Sequence, residues 1–386
     1  MKNFDFYNPT HIVFGKDRIG DLAKLVPAAA NVLILVGGSS AEKNGTLAQV
    51  RAALGERTHS TFTGIEPNPS FETTMRAVQM IRQQGFDFLL AVGGGSVIDA
   101  TKFIAAAVPF EGDAWDIMLK RGGNIQAALP FGAVLTLPAT GSEMNSGGVI
   151  MRKDIGAKLP FRNSLLYPKF SILDPSMTYT LPVKQLANGV VDAFVHTVEQ
   201  YLTYPADAPV QDRFAEGLLQ TLIEVGPRIV AATEPNYEDR ATLMWTATLA
   251  LNGLIGTGVP QDWSTHMLGH ELTAKYGIDH ARTLAIVLPA MLNERRVQKR
   301  EKLLQYGQRV WGIKTGSDDD RITTTIESTR DFFESLGIPT RLNAYGVGGD
   351  AIDSLIEQLQ ANGMTKLGEH GDITPDVSRR VFLDAL

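Results

Sequence analysis

The sequence predicts an α/β domain built on a parallel sheet, followed by an all-α domain. Three observations predict it. Short, continuously apolar runs in the first half each stop at a turn rich in glycine or hydroxyl residues, with helical stretches between them. From about Pro182 onward the apolar residues follow helical spacing, and no strong strand candidate occurs. The chain has 386 residues, more than one hydrophobic core usually serves, so two domains are expected.

In chain order, Phe4–Phe14 reads as an added hairpin or an edge strand. Asn31-Val-Leu-Ile-Leu-Val36 stops at Gly37-Gly38-Ser39-Ser40. Phe86–Val92 stops at Gly93-Gly94-Gly95, and Gly132–Leu137 stops at Pro138-Ala-Thr-Gly141. Such unbroken apolar runs suit strands buried on both faces of a parallel sheet. Phe71–Gln84 has helix-forming composition and helical apolar spacing, which completes a βαβ rhythm. Val183–Thr203, Val210–Ala232, Asn236–Leu254 and Gln261–Tyr276 read as successive helices, with Ile322–Leu336 and Ala351–Gln360 as two more. The boundary falls between Asp174-Pro175 and Leu181-Pro182. Residues 1–181 are then a dinucleotide-binding α/β domain and residues 182–386 a helical metal-binding domain. No internal repeat or low-complexity tract occurs.

Apolar content of 44% and charged content of 20% describe an ordinary globular protein. A net charge of −6 and the lack of any Lys/Arg-rich run argue against nucleic-acid binding. With no cysteine, disulfides, thiolate ligands and a cysteine nucleophile are excluded, and a reducing compartment fits. The segment Met1–Pro9 lacks the long apolar core of a signal peptide. No apolar run reaches the length of about 18 residues that marks a membrane span. The expectation is a cytoplasmic protein, with a homodimer as the statistical default.

Four of the seven histidines fall in two short stretches. Asp192 and His196 are spaced i,i+4, so on a helix they lie on one face and can grip one ion. His266, His270 and His280 follow downstream. A single i,i+4 Asp/His pair also suits a solvated contact. The setting of His266, beside Met267, Leu268 and Gly269, carries little of the charge of a solvated face, and a buried neutral histidine needs a partner. Three imidazoles and one carboxylate suit Zn or Fe(II) better than Mg or Ca, and do not distinguish Zn from Fe(II).

Gly93-Gly94-Gly95-Ser96-Val-Ile-Asp99-Ala-Thr-Lys102 follows an expected strand and opens an expected helix. Glycines allow a pyrophosphate to approach the backbone, and the helix start offers free N–H groups. The pattern is neither Gly-x-Gly-x-x-Gly nor a P-loop, so a tight turn without a ligand is the alternative. Gly37–Ser40 and Thr136-Leu-Pro-Ala-Thr140-Gly-Ser142-Glu143 end neighbouring runs, and such strand ends share one edge of an open sheet. The turn Gly37-Gly38-Ser39-Ser40, with Lys43, offers hydroxyls, backbone donors and a cation. That suits the 2′-phosphate of NADP better than the free hydroxyl of NAD, for which a carboxylate is usual. Glu42 is the contrary feature, placed on the next helix.

Together these segments resemble the iron-containing (group III) alcohol dehydrogenase family, and most closely its NADP-dependent broad-range aldehyde reductase branch. The resemblance covers nearly the whole chain. It rests on Phe14-Gly15, Gly64-Ile-Glu-Pro-Asn-Pro69, Gly93 through Lys102, Pro138 through Glu143, Asp174-Pro175, the Asp192/His196 pair and the His266/His270/His280 set. Gly189-Val-Val-Asp-Ala-Phe-Val-His-Thr-Val-Glu-Gln-Tyr201 carries the likeness to the branch. It implies a Rossmann-like N-terminal domain and a helical C-terminal domain, the architecture shared with dehydroquinate synthases, with cofactor and metal in a cleft between them. It implies Asp192, His196, His266 and His280 as metal ligands and His270 as a further active-site histidine. Asn68, Gly94, Gly95, Ser96, Asp99, Thr136, Thr140, Asn145 and Lys158 fall where such proteins line the nucleotide cleft, and Thr178 and Leu181 near the nicotinamide. Gly37, Gly38, Ser39 and Ser40 replace the acidic residue of NAD-dependent members.

The implied activity is reversible hydride transfer between NADPH and an aldehyde, aided by the metal as a Lewis acid. His270 is either a member of a proton relay or a residue that orients water or substrate. Two other functions remain open: a dehydroquinate-synthase-type lyase using NAD and a metal, and a non-catalytic NADP-binding protein. The first needs many basic and polar groups for an acidic phosphorylated substrate. Trp263, Met267, Leu268 and Leu254 near the metal segments suit a small, weakly polar aldehyde instead.

Overall fold

Six parallel strands form one sheet, β1 (His11–Phe14), β2 (Val32–Val36), β3 (His59–Phe62), β4 (Phe88–Gly94), β5 (Phe131–Leu137) and β8 (Phe170–Leu173), in the order β1-β8-β5-β4-β2-β3. The computed structural model describes every residue from Met1 to Leu386. An antiparallel hairpin, β6 (Gly147–Arg152) with β7 (Ala157–Arg162), stands apart from the sheet.

The strands are apolar throughout because both faces are covered. Leu33, Leu35, Leu89, Ala91 and Leu135 pack on one side with Ala77, Val78 and Ile81 of the helix Phe71–Gln84 and with most of the helix Gly95–Ala107. Val32, Ile34, Leu90, Val92 and Val134 pack on the other side with Ile19, Leu22, Leu47, Val50 and Leu54. The helix Phe71–Gln84 has the expected bounds because its ends are capped. Ser70 Oγ accepts from Thr73 N–H at 3.2 Å, and Gly85 closes the helix with φ 71°.

The start of the chain is corrected in detail. It is an edge strand only from His11, paired in parallel with β8, and there is no hairpin at Phe4–Phe14. The hairpin lies at β6–β7 instead.

The chain divides into two compact units. One comprises Tyr7–Pro182 with Glu234–Thr248, and the other Met1–Phe6, Val183–Thr233 and Leu249–Leu386. Within the first, Thr248 Oγ1 donates to Glu143 Oε1 at 2.5 Å, Arg240 donates to the Thr178 carbonyl at 3.2 Å, and Met244 joins the core. The second unit is helical. Its helices Val183–Tyr201, Pro209–Ala231, Ser264–Tyr276 and Ile352–Ala361 lie within two or three residues of the expected bounds, whereas Asp318–Ser335 begins four residues before the expected Ile322. Three more helices, His280–Glu294, Arg300–Arg309 and Pro375–Asp384, are additions to the expected set. No helix is long and apolar enough to cross a membrane.

Candidate metal centre and nucleotide-binding edge

Val183–Tyr201 is buried along its whole length from Leu186, so Asp192 and His196 project from one helical face into the interior. Asp192 is 3% and His196 4% exposed. His266 comes from Ser264–Tyr276, and His280 is the first residue of His280–Glu294. Gly269 permits the close packing of these two helices, since a Cβ there would lie 2.8 Å from Thr283 Oγ1. Asp279, just before His280, accepts from Lys184 Nζ at 2.7 Å and from Asn188 Nδ2 at 3.2 Å. His280 is thereby tied to the helix that carries Asp192.

Asp192 Oδ1 lies 3.6 Å from His196 Nε2 and 3.7 Å from His280 Nε2. Ligand atoms of Asp192, His196 and His266 fall within 4.8 Å of one another. The His196 and His266 rings stack at 4.8 Å, and the His266 and His280 ring centres are 5.2 Å apart. Bonds of about 2.0–2.2 Å to a tetrahedral ion put neighbouring ligand atoms roughly 3.3–3.6 Å apart. Asp192 Oδ1 is buried and accepts no hydrogen bond from the protein. A buried carboxylate oxygen without a donor is costly, and a cation among the three imidazoles satisfies it. The residues therefore fit a divalent ion. The His270 ring lies 5.2 Å from that of His280 and 6.4 Å from that of His266.

Glu199 completes the centre and was not anticipated from sequence. Its carboxylate contacts His266 Nδ1 and accepts from Thr265 N–H at 2.6 Å. Donation from His266 Nδ1–H leaves Nε2 as the ligand atom, an arrangement in which an outer carboxylate orients a metal-binding imidazole. Burial pushes the Glu199 carboxyl well above the ordinary carboxylate value and Asp262 pushes it further, while the Thr265 N–H and His196 lower it. The available signal was Asp192-x3-His196-x2-Glu199, which shares one helical face. Trp263, with φ 67°, packs edge-on to both His196 and His266. Leu268 is fully buried and belongs to the core, so Trp263, Met267 and Leu254 are the partly exposed apolar residues of these segments.

In the α/β unit, β5, β4 and β2 are adjacent and parallel, so the turns that follow them lie side by side on one edge. The chain passes from β2 outward to β3 and from β4 outward to β5 on the opposite side. The β2/β4 boundary is thus the switch point where α/β sheets bind ligands. Gly94 precedes the helix Gly95–Ala107 and supplies no side-chain cap. A Cβ on Gly95 would come within 2.9 Å of Thr140 Cβ, so the β4 and β5 turns approach closely because the residue is glycine. Ser96, Thr136 and Thr140 are partly exposed on this edge, as is Asn68, which has φ 55°. Gly38, Ser39 and Ser40 are exposed after β2, with Gly37 half-buried. Glu42 pairs with Arg51 at 3.1 Å.

Other expected cleft residues hold the structure together. Lys102, fully buried, donates to Ser142 Oγ and Asn145 Oδ1 at 2.8 Å each and to the Gly147 carbonyl at 2.6 Å. Asp99 accepts from Ser142 Oγ at 2.6 Å and from Val149 N–H at 2.9 Å. Burial raises the Asp99 pKa against Lys102 and these donors, and burial draws the Lys102 ammonium down to about 7. Lys158 lies buried in β7 with Asp99 within electrostatic reach. Thr178 donates its hydroxyl to the Pro175 carbonyl at 2.6 Å, and Leu181 follows it, half-buried.

Comparison with known proteins agrees along the length of the chain. Residues 9–175 match the profile of iron-containing alcohol dehydrogenases, and residues 186–367 match the C-terminal profile of the Fe-containing alcohol dehydrogenase family. The chain is 59% identical over 384 residues to the NADPH-dependent aldehyde reductase YqhD of Escherichia coli, covering 99% of each. It is 42% identical to the probable NADH-dependent butanol dehydrogenase 1 of Bacillus subtilis, covering 94% of this chain and 95% of that protein. The crystal structure of E. coli YqhD superposes with a TM-score of 0.99 at 58% identity, covering 100% of this chain and 99% of that one.

Proposed function

We propose, for a chain that belongs to the iron-containing alcohol dehydrogenase family, reversible hydride transfer between NADPH and an aldehyde, with one divalent ion, Fe(II) or Zn, held by Asp192, His196, His266 and His280. The observation that carries this reading is the buried Asp192 Oδ1, which accepts no hydrogen bond and lies 3.6 and 3.7 Å from two imidazole nitrogens.

An ion bound there supplies Lewis acidity towards a carbonyl oxygen, and reduced nicotinamide supplies the hydride. The chain's own residues bind and orient. Gly94, Gly95 and Ser96 offer uncapped N–H groups and a hydroxyl to a pyrophosphate. Gly37, Gly38, Ser39 and Ser40 offer donors without a carboxylate, and the pairing of Glu42 with Arg51 leaves that turn free of opposing charge. The relative at 59% identity is named for NADPH and the one at 42% for NADH, so the turn after β2 is where cofactor choice is tested. His270, one helical turn beyond His266, moves a proton or orients substrate. Trp263, Met267 and Leu254 suit a small, weakly polar aldehyde. We place the protein in the cytoplasm as a homodimer.

The test is metal analysis of the purified protein combined with an aldehyde panel assayed with NADPH and NADH. Stoichiometric Fe or Zn and aldehyde-dependent loss of NADPH absorbance are expected. Metal-loaded protein that oxidises NADPH with none of the aldehydes overturns the reading.

A further inference from the structure

We propose that Lys299 is a positioning residue for His266, acting through Asp262 and Glu199 and held from behind by Glu369. The inference rests on the reading of Asp192, His196, His266 and His280 as a ligand set.

Lys299 is a buried ammonium, its side chain 3% exposed. Its three donor positions are all used: Asp262 Oδ2 at 2.9 Å, Glu369 Oε1 at 2.7 Å and the Leu202 carbonyl at 2.6 Å. The Asp262 and Glu369 side chains are also buried, at 5% and 6% exposure. Surface ion pairs contribute little, but a buried carboxylate that loses its cation leaves an uncompensated charge. These groups therefore act as a unit.

The unit reaches the histidine cluster through a hydrogen bond or direct contact at every link. Asp262 uses its other oxygen, Oδ1, to accept from Ser264 N–H at 3.0 Å, at the start of the helix that carries His266. The Asp262 N–H donates to the Glu199 carbonyl at 2.9 Å. Glu199 in turn accepts from Thr265 N–H at 2.6 Å and contacts His266 Nδ1. Between Asp262 and Ser264 stands Trp263 with φ 67°. A bulky residue keeps this left-handed conformation only where its surroundings over-determine it. Asp262, pinned by Lys299, bonds the backbone on both sides of that turn, at Glu199 and at Ser264, while Trp263 Nε1–H donates to Gln261 Oε1 at 2.9 Å.

Glu369 lies beyond residue 367, where the C-terminal family profile stops matching. Its loop is closed by the Leu367/Ile373 bridge and by the ion pair between Asp372 and Arg295, one helical turn before Lys299. A segment outside the matched region thus holds the cation that holds the turn before His266.

The test uses Co(II)-loaded full-length protein, with affinity read by chelator competition and ligand geometry by the visible spectrum. Lys299→Met is expected to raise the Co(II) dissociation constant about tenfold, the lower end of what outer partners of a ligand cost, and to change the spectrum. Glu369→Gln keeps the side-chain shape and is expected to shift both in the same direction by less. If the parent protein binds Co(II) and both variants match its affinity and spectrum, the proposal is overturned, whatever their melting temperatures. Should Lys299→Met fail to fold, an unchanged Glu369→Gln overturns it alone. A parent that does not bind Co(II) overturns the ligand-set reading itself, an outcome distinct from the other two.

Discussion

Lys102 Nζ donates to Asn145 Oδ1 at 2.8 Å, inside the fold rather than towards solvent. Through this bond and those to Ser142 and Gly147, the second turn of the helix Gly95–Ala107 holds the segment that leads from β5 into the β6–β7 hairpin. Lys102 thus fixes the turn beside Gly95. Replacing it with Met leaves Ser142 Oγ and the Gly147 carbonyl without this donor, takes one of two donors from Asn145 Oδ1, and removes the nearby positive charge from Asp99, at about 1–3 kcal/mol for each group left unsatisfied. Lys102→Met is expected to lose about 3 kcal/mol in urea unfolding and to weaken NADPH binding. An unchanged midpoint would show that the network contributes nothing.

The ligand set predicts a separation of functions. His266→Ala and Asp192→Ala are expected to lose most bound metal and nearly all activity while NADPH binding survives at least in part, because Gly94, Gly95 and Ser96 belong to the other unit. Metal analysis and NADPH fluorescence titration measure the two independently. Full metal content in either variant refutes the ligand assignment.

Cofactor choice is expected to reside in the turn after β2. Ser39 and Ser40 are exposed there, and a carboxylate beside a 2′-phosphate is repelled. Ser39→Asp or Ser40→Asp should raise the KM for NADPH more than that for NADH. Equal use of both cofactors by the parent protein would remove the basis of this expectation.

Legibility followed the strength of local signals. β2, β4 and β5 were readable because each is continuously apolar and ends in glycine or proline. β3, His59-Ser-Thr-Phe62, is a half-buried outer strand without that signature. The β6–β7 hairpin begins with Gly147-Gly148 and contains Pro160, both unfavourable to strands. His280–Glu294 carries Pro289 inside it, a residue that argues against a helix interior, so no helix was expected after Gln261–Tyr276 until Ile322. The histidines were legible from their rarity and spacing. Glu199 was legible in principle at i+7 from Asp192, but a glutamate on a helix is usually solvated. Lys299, Asp262 and Glu369 meet only through tertiary packing, which no local spacing encodes.

Glu271 makes stability depend on pH. It is 3% exposed and accepts from Asn362 Nδ2 at 2.9 Å, and burial raises its pKa from 4.5 to about 7 despite that donor. The folded state therefore holds the proton more tightly than the unfolded state. The favourable contribution is complete below pH 4.5 and is lost as pH rises through about 7. Glu271→Gln removes the titration and keeps an acceptor for Asn362. Above pH 7 the variant should be more stable than the parent by about 1–3 kcal/mol, and the difference should vanish in acid. Urea midpoints across the range decide it, and a pH-independent difference would contradict the assignment.

His270 separates proton supply from metal binding. Its ring lies 5.2 Å from that of His280 and 6.4 Å from that of His266, close enough to serve a substrate at the centre. Aldehyde reduction consumes a proton, so lower pH favours it until protonation displaces the histidine ligands, and alcohol oxidation should need alkaline conditions. His270→Ala removes a candidate donor but leaves Asp192, His196, His266 and His280 in place. The variant should keep its metal and lose a factor on the order of 10²–10⁴ in turnover, the range of general acid–base catalysis. The loss should shrink as pH falls, because solvent then supplies the proton that the imidazole supplied. A deuterated nicotinamide establishes whether hydride transfer limits the rate. If it does, and the pH profile of His270→Ala still parallels that of the parent, His270 relays no proton and acts by orienting water or substrate.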